Sequence, residues 1–492
     1  MVKQSAGRMR HAAPLAAAFG AGFKIGFVRR IARRQSRESN MEQVTLGLVG
    51  GGTVGGGVWQ AIRRNGALMA SRLGVELKIA KIAVRDLKKA RHADIPGTVL
   101  TSDWRELVAD PSIQIVVELM GGTTTARDVV LSALQRGKSV VTANKALLSA
   151  HGEELFAEAA RNGANLYYEA AVAGGIPIIK ILRESFAGNR VTQLAGIVNG
   201  TCNYILTRMK LEGAEFSEVL ADAQRLGYAE AEPSLDVDGH DAAQKTGILA
   251  SLAHGFWVKP TQVHTEGIRH ISKLDIQFAG QLGYTIKLLG LVKAVEVPSS
   301  ETTSKRRTGE KAMSPVAEIE VAVYPALIPN SHVLASVNYA FNAVSVRGDV
   351  VGETLFYGRG AGAEPTASSV LSDLADAALD LKHGSHRRVP CFVAHAGAGN
   401  VRPMASVVSR YYVRLTVLDQ PGVFARIAAV LAKEKIGISS IIQPPGHVGE
   451  SVPVILMIHD ATNAAMQRAL RKIAKLAAVK GEPVMIRVES FE

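Results

Sequence analysis

The stretch "LGLVGGGTVGGGVWQAI" (46–62) places glycine at 50, 51, 52, 55, 56 and 57. Each glycine loses more backbone freedom on folding than any other residue, so a cluster needs a structural reason. The flanks supply it. "QVTLGLVG" before the cluster is an apolar, β-branched run of strand length. "TVGGGVWQAIRRNGALMA" after it carries apolar residues at helical spacing. Gly50, Gly52 and Gly55 then fit G-x-G-x-x-G at a strand–turn–helix junction. Such a turn lets a pyrophosphate approach the backbone and faces it with the helix N-terminus, here Thr53 and Val54.

Working outward, "VELKIAKIAVRD" (75–86) reads as the second strand and "SIQIVVELMGG" (112–122) as another. "ARDVVLSALQRGKSVVTANKALLSAHG" reads as helix, strand and loop, and "ANLYYEAAVAGG" (164–175) as one more strand and turn. Alternation of strands and helices over 41–170 predicts an α/β unit with a doubly wound parallel sheet of Rossmann type. The residue ending its second strand reads the ribose. Arg85 there favours NADP, while Asp86 leaves NAD open. Lys145, in "VTANKALLS", falls after a buried strand at the carboxyl edge of the sheet, where ligands bind.

A middle unit spans 171–360. It opens with "IPIIKILRESF" and "VTQLAGIVNGTCNYILTRMK", continues as a long helical stretch to about 290, and adds strands "AEIEVAVYPALI" and "VSVRGDVVGETLFYG". Residues 296–314 are polar, charged and aperiodic, a flexible hairpin loop or an insertion. A helix at 365–381, capped by Thr366 or Ser368, is expected to pack back on the first unit. A linker follows at 382–408. Residues 409–492 run β-α-β-β-α-β, a ferredoxin-like order, with a helix opening at Pro421.

The densest polar group is "LGYAEAEPSLDVDGHDAAQKTGILASLAHG" (226–255). Asp238 is placed to cap a helix starting near Gly239. Asp241 and Lys245 stand at i and i+4, so they share a face. "AAQKTGILASLA" is apolar nearly all round, which puts this pair in a buried helix. A buried lysine needs a partner and shifts its pKa readily. Glu230, Asp236 and Asp238 crowd the preceding loop, a set suited to holding an ammonium group and moving a proton. "DVDG" lacks the spacing and closing Glu of an EF-hand.

Composition narrows the class. The 492 residues are 47% hydrophobic and 21% charged, which is ordinary for a globular chain of about three domains. No apolar run is long enough to span a bilayer. Two distant cysteines, Cys202 and Cys391, argue for a reducing, cytoplasmic compartment without a disulfide framework. The net charge is +13, but residues 1–40 hold nine Lys/Arg against Glu38 and account for +8 of it. With only 5% aromatics and no basic face on a folded unit, a nucleic-acid partner is not expected. Residues 1–40 read as a disordered or artefactual extension before Met41, with organellar targeting as the second reading.

These pieces together resemble homoserine dehydrogenase in its monofunctional form with a C-terminal ACT domain, over about 44–490. The strings that carry the likeness include "GLVGGGTVGGGV", "VTANKALL", "YYEAAVAGGIPIIK", "GIVNGTCNYIL", "GYAEAEPSLDVDGHDAAQK", "GAGAEPTASSVLSDL" and "VLDQPGVFARIAAVL". The resemblance implies NAD(P)H-dependent reduction of L-aspartate 4-semialdehyde to L-homoserine, on the route to threonine, methionine and isoleucine. It implies an α+β catalytic and dimerisation domain over the middle unit, and a homodimer or homotetramer. Lys245 would be the proton donor with Asp241 beside it, and Lys145 would touch nicotinamide and substrate. Glu230 would hold the substrate amino group, with Asp236, Thr201 and Tyr204 around it. Gly121, Gly122 and Gly362 would be cofactor-contacting turns. Backbone oxygens of Glu169, Val172, Gly174 and Ile176 would hold a sodium ion, where the residues themselves suggest only a tight turn. "LDQPGV" (418–423) would lie at an amino-acid effector site, with L-threonine as the effector. Two other readings are a dehydrogenase acting on a different amino acid and a non-catalytic, amino-acid-sensing NADP-binding protein. The latter predicts a damaged lysine pair, yet both Lys145 and Lys245 are present.

Overall fold

The computed structural model describes residues 41–91, 93–295, 318–385, 388–395, 399–444, 447 and 450–491. The basic segment 1–40 and the insertion 296–314 lie outside these residues.

The first sheet contains β1 (Glu42–Val49), β2 (Val75–Ala83), β3 (Leu100–Thr101), β4 (Ile115–Glu118), β5 (Ser139–Thr142) and β6 (Leu166–Tyr167). Its order is β3-β2-β1-β4-β5-β6, and every pairing is parallel. The central strands are buried on both faces and read as continuous apolar runs. The chain runs outward from β1 to β2 and β3, then crosses back to β4 on the other side of β1, so a crevice opens at the carboxyl ends of β1 and β4. The glycine cluster follows β1, and Gly121–Gly122 follow β4. Helices α1 (Thr53–Leu73), α2 (Trp104–Ala109), α3 (Thr124–Leu134) and α4 (Lys145–Arg161) cover the sheet.

The second sheet is built on β7 (Val191–Ile197), β8 (His264–Thr265), β9 (Tyr284–Ala294), β10 (Glu318–Pro329), β11 (Phe341–Gly348) and β12 (Gly352–Arg359). Helices α5 (Gly200–Glu212), α6 (Phe216–Arg225), α7 (Ser234–Val237), α8 (His240–His254) and α9 (Lys273–Gln281) precede or interleave with these strands. The stretch expected to be helical to about 290 ends at Gln281, and residues 284–294 form a central strand instead. An apolar run buried on both sides has no period that separates strand from helix.

Helix α10 (Ala363–His383) returns to the first sheet. A Cβ on Gly57 would stand 2.8 Å from the Ala363 carbonyl oxygen, so only glycine lets α1 and α10 approach this closely. Lys382 donates to the carbonyl of Gly74, just past the end of α1, at 3.0 Å. Gly362 is the N-cap residue of α10, so Thr366 and Ser368 lie inside the helix and do not cap it.

The C-terminal segment has β14 (Val408–Leu418), α11 (Val423–Lys433), β15 (Ile438–Ile442), β16 (Ser451–Thr462), α12 (Asn463–Ile473) and β17 (Val479–Val488), after a short β13 (Asn400–Val401). Helix α11 begins after Gly422, two residues beyond Pro421. Its strands do not form a separate sheet. β17 pairs in parallel with β10 through Ala326–Arg487 and Leu327–Val488. The order runs β12-β11-β7-β9-β10-β17-β14-β16-β15, with β8 and β13 also on β10.

A buried carboxylate fastens this segment further. Asp275, on α9, is fully buried and accepts from Tyr412 Oη at 3.0 Å and from Arg414 Nε at 2.7 Å and Nη2 at 3.1 Å. Replacing it strands a half-buried guanidinium and a buried phenol. Asp275→Ala is therefore expected to cost roughly 3–5 kcal/mol, read by urea denaturation of the full chain.

Candidate active site

At the crevice, glycine geometry is set by backbone rather than by side chains. Gly50 adopts φ +116, and a Cβ there would stand 2.5 Å from the Leu119 carbonyl oxygen. A Cβ on Gly55 would stand 2.0 Å from the Gly50 carbonyl oxygen. Gly52, the N-cap of α1, faces open space and has no side-chain cap, as a phosphate-binding turn requires. Thr53 and Val54 start the helix, so their N–H groups belong to its unpaired first turn.

The turn after β4 is held from below by Glu118, which sequence reasoning missed. Its fully buried carboxylate accepts from Thr142 Oγ1 at 2.6 Å, from the Met120 N–H at 2.9 Å and from the Gly121 N–H at 3.4 Å. Burial pushes its carboxyl above the usual range, against those hydrogen bonds. Gly121 and Gly122 have φ +75 and +76 and face open space. The Gly122 carbonyl accepts from Asn144 Nδ2 at 2.7 Å. Asn144 also caps α4, whose first residue is Lys145. One asparagine therefore fixes both the glycine turn and the lysine.

Lys145 reaches across to Asp241 of α8, with Nζ 3.1 Å from Oδ1. Lys245, one turn along α8, donates to Asp241 Oδ2 at 2.7 Å and to the Val198 carbonyl at 2.7 Å. Asn199 Nδ2 donates to the same Asp241 oxygen at 2.9 Å and to Asp236 Oδ1 at 2.7 Å. Asn199 was not singled out from the sequence, although "GIVNGTC" held the signal: an Asn that caps α5 by accepting the Cys202 N–H. Burial alone would raise the Asp241 carboxyl, but Lys245 and Lys145 overcome it and hold it at about 2. Asp236 goes the other way, raised chiefly by burial. An ammonium carries three N–H donors. Lys245 commits two and Lys145 one among the described residues, so each keeps a donor for a bound oxygen.

The structure brings Lys145, Lys245, Asp241 and Asp236 together. Thr201 Oγ1 donates to the Tyr228 carbonyl at 2.8 Å, and Tyr204 stacks on Tyr228 with ring centroids 4.6 Å apart. Glu230, on this same loop, is exposed, and its carboxylate has no hydrogen bond or ion pair among the described residues. Asp238 does not cap α8. Gly239 occupies that position, and Asp238 turns away to Arg269 at 2.5 Å. Arg85 is exposed just past β2 without a partner among the described residues, while Asp86 accepts the Lys88 N–H at 2.8 Å.

The turn containing Glu169, Val172, Gly174 and Ile176 reverses through Ala173 and Gly174, at φ 57 and 54. A Cβ on Gly174 would stand 2.3 Å from the Gly360 carbonyl oxygen, which places the turn against the chain leading to Gly362. The Gly174 carbonyl accepts from Ser369 Oγ at 2.5 Å and the Ile176 carbonyl from the Ile178 N–H at 2.8 Å. The buried Glu169 carboxylate accepts the Ile179 and Lys180 N–H groups, each at 2.8 Å, and burial raises it to about 7.

Because the Asp241 carboxyl sits below its ordinary 3.8, its contribution to stability is full above about pH 4 and lost as pH falls toward 2. The stability gap between the parent chain and Asp241→Asn is therefore expected to close between pH 4 and pH 2. Denaturation at a series of pH values measures it, and a gap that stays constant contradicts the pairing.

Two family models match the chain: "Homoserine dehydrogenase, NAD binding domain" over 50–169 and "Homoserine dehydrogenase" over 177–375. The homoserine dehydrogenase of Pseudomonas aeruginosa is 42% identical over 92% of this chain and all of its own length. That of Neisseria gonorrhoeae is 41% identical, with the same coverage. The crystal structure of a homoserine dehydrogenase from Thiobacillus denitrificans superposes with a TM-score of 0.82 at 43% identity, over 92% of this chain and 99% of that one. A hyperthermophilic archaeal homoserine dehydrogenase solved in complex with NADPH matches 69% of this chain and 98% of its own, with a TM-score of 0.55 at 26% identity. With both family models matched and relatives above 40% identical along nearly their whole length, the chain belongs to the homoserine dehydrogenases.

Proposed function

We propose that Lys245 is the proton-transfer residue and Lys145 the second cation of this oxidoreductase, interconverting L-aspartate 4-semialdehyde and L-homoserine. The observation that carries the assignment is the sharing of Asp241 by both lysines, each with an N–H to spare. The bound nicotinamide supplies or accepts the hydride. The residues supply the rest. Lys245, held by Asp241 and the Val198 carbonyl, presents its third N–H to the developing alkoxide, stabilises its charge and gives up the proton. Lys145, carried at the start of α4, positions the substrate beside the cofactor turn. Asp236 and Glu230 face the substrate amino group, with Thr201 and Tyr204 shaping the wall.

Gly50, Gly52, Thr53, Val54, Gly55, Gly121, Gly122 and Gly362 would hold the cofactor. NADP is the preferred form, because Arg85 is free for a 2′-phosphate whereas Asp86 is engaged in its own turn. Carbonyl oxygens of Glu169, Val172, Gly174 and Ile176 are hard neutral donors of the kind a sodium ion takes. Those already bonded retain a second lone pair. The domain reading follows the same lines: nucleotide binding over 41–170 with α10 packed on it, catalysis and dimerisation over 171–360, and an ACT unit over 409–492. L-threonine would act through "LDQPGV", on a homodimer or homotetramer in the cytoplasm. No helix among the described residues is long and apolar enough to cross a membrane.

The test is homoserine-dependent reduction of NADP and NAD by the full chain, with and without L-threonine. Lys245→Ala should lower kcat by about 10²- to 10⁴-fold with little change in the cofactor KM. An unchanged kcat would move proton transfer elsewhere. NAD turnover equal to that with NADP would remove the role of Arg85, and insensitivity to threonine would remove the effector.

A further inference from the structure

The segment "HTEGIR" (264–269) lies between the catalytic acids and the C-terminal segment and touches both. On the side of the acids, the Ile268 N–H donates to the Val237 carbonyl at 2.8 Å. A Cβ on Gly267 would stand 2.3 Å from that carbonyl oxygen and 2.5 Å from the Asp238 Cα, so two backbones are in direct contact here. A Cβ on Gly239, the N-cap of α8, would stand 2.9 Å from the Glu266 carbonyl oxygen. Arg269 holds Asp238 and also donates to Ser234 Oγ at 2.8 Å. Residues 234–239, which carry Asp236 and launch the Asp241–Lys245 helix, therefore rest on 264–269 along their length.

On the other side, the Glu266 carboxylate accepts from Arg487 Nη1 of β17 at 2.9 Å and pairs with His264 Nε2 at 2.7 Å. Arg487 is fully buried. It donates to Asn463 Oδ1 of α12 at 2.8 Å and lies 4.4 Å from the Tyr324 ring centre. A guanidinium with no access to water depends on its carboxylate, so a displacement of β17 or α12 moves Glu266 with it.

We infer that residues 264–269 are a strap through which the C-terminal segment positions Asp236 and the start of α8, with Glu266, Arg269 and Arg487 as positioning residues for the amino-acid end of the substrate. The substrate part rests on the function proposed above, and the strap itself does not. Any molecule or partner that shifts the C-terminal segment then acts on substrate affinity before it acts on the cofactor.

The experiment uses the full chain as parent, Glu266→Gln, Arg269→Gln and the double variant. Amide hydrogen exchange of residues 234–241 without ligand is the first readout. It should speed up by about three- to tenfold in Glu266→Gln as well as in Arg269→Gln, while helix Lys145–Arg161 stays unchanged. The KM for homoserine should rise by a similar factor, with the KM for NADP within about twofold, and Arg269→Lys should recover much of the loss. The double variant should fall short of the product of the singles, since both act on one element. Unaltered exchange at 234–241 in Glu266→Gln overturns the strap, whatever the kinetics. A parent without homoserine turnover overturns the functional reading, while exchange still decides the strap. If Glu266→Gln does not fold, Asn463→Ala, which frees Arg487 from its other side, takes its place with the same expected result.

Discussion

One carboxylate organises this molecule. Asp241 accepts Lys245 from its own helix, Lys145 from the nucleotide-binding sheet and Asn199 from the cap of α5. Three elements far apart in sequence meet on two oxygen atoms. A buried anion of this kind is tolerated when it is paired and hydrogen-bonded, and here both oxygens have a partner. The arrangement sets two lysines on one carboxylate, with Asp236 linked to it through Asn199 and its carboxyl raised by burial. The same contact ties the nucleotide-binding sheet to helix α8.

Much of this could be read from the residues. The glycine cluster between a strand and a helix named the crevice, and the i, i+4 spacing of Asp241 and Lys245 in an apolar helix named the buried pair. Lys145 was placed by its position after a strand. What could not be read shares one property: it depends on partners distant in sequence. Asp238 is as good a cap by local rules as any aspartate, and only Arg269, 31 residues on, draws it away. Glu118 ends an apolar strand and gives no local sign that it supports a glycine turn. Asn199 reads as a helix cap, which it is, but its link between two acids needs the fold. Residues 284–294 are mostly apolar, with Lys287 and Lys293 too sparse to set a period, so strand and helix were indistinguishable until burial on both faces was visible.

The sheet shows the same limit on a larger scale. The β-α-β-β-α-β rhythm of the C-terminal segment suggests a self-contained unit. In the structure its last strand lends two residues of parallel pairing to β10, and its first strand is anchored by Asp275. The segment has its own compact core between its helices and strands, yet it extends the second sheet through β10.

This arrangement has a consequence for how the chain reaches its folded state. Strand β10 ends at residue 329, but its neighbour β17 begins at residue 479. During synthesis, β8 and β13 cover the earlier part of this edge of β10, but its Ala326–Leu327 end stays open until nearly the whole chain has emerged, and Arg487, the buried partner of Glu266, arrives last. A parallel pairing across so long a loop forms slowly. An open apolar edge meanwhile invites association with other chains. The nucleotide-binding sheet is nearly complete by residue 167 and lacks only α10, so it is free to form early. The second sheet lacks its join to the C-terminal strands until the final strand arrives.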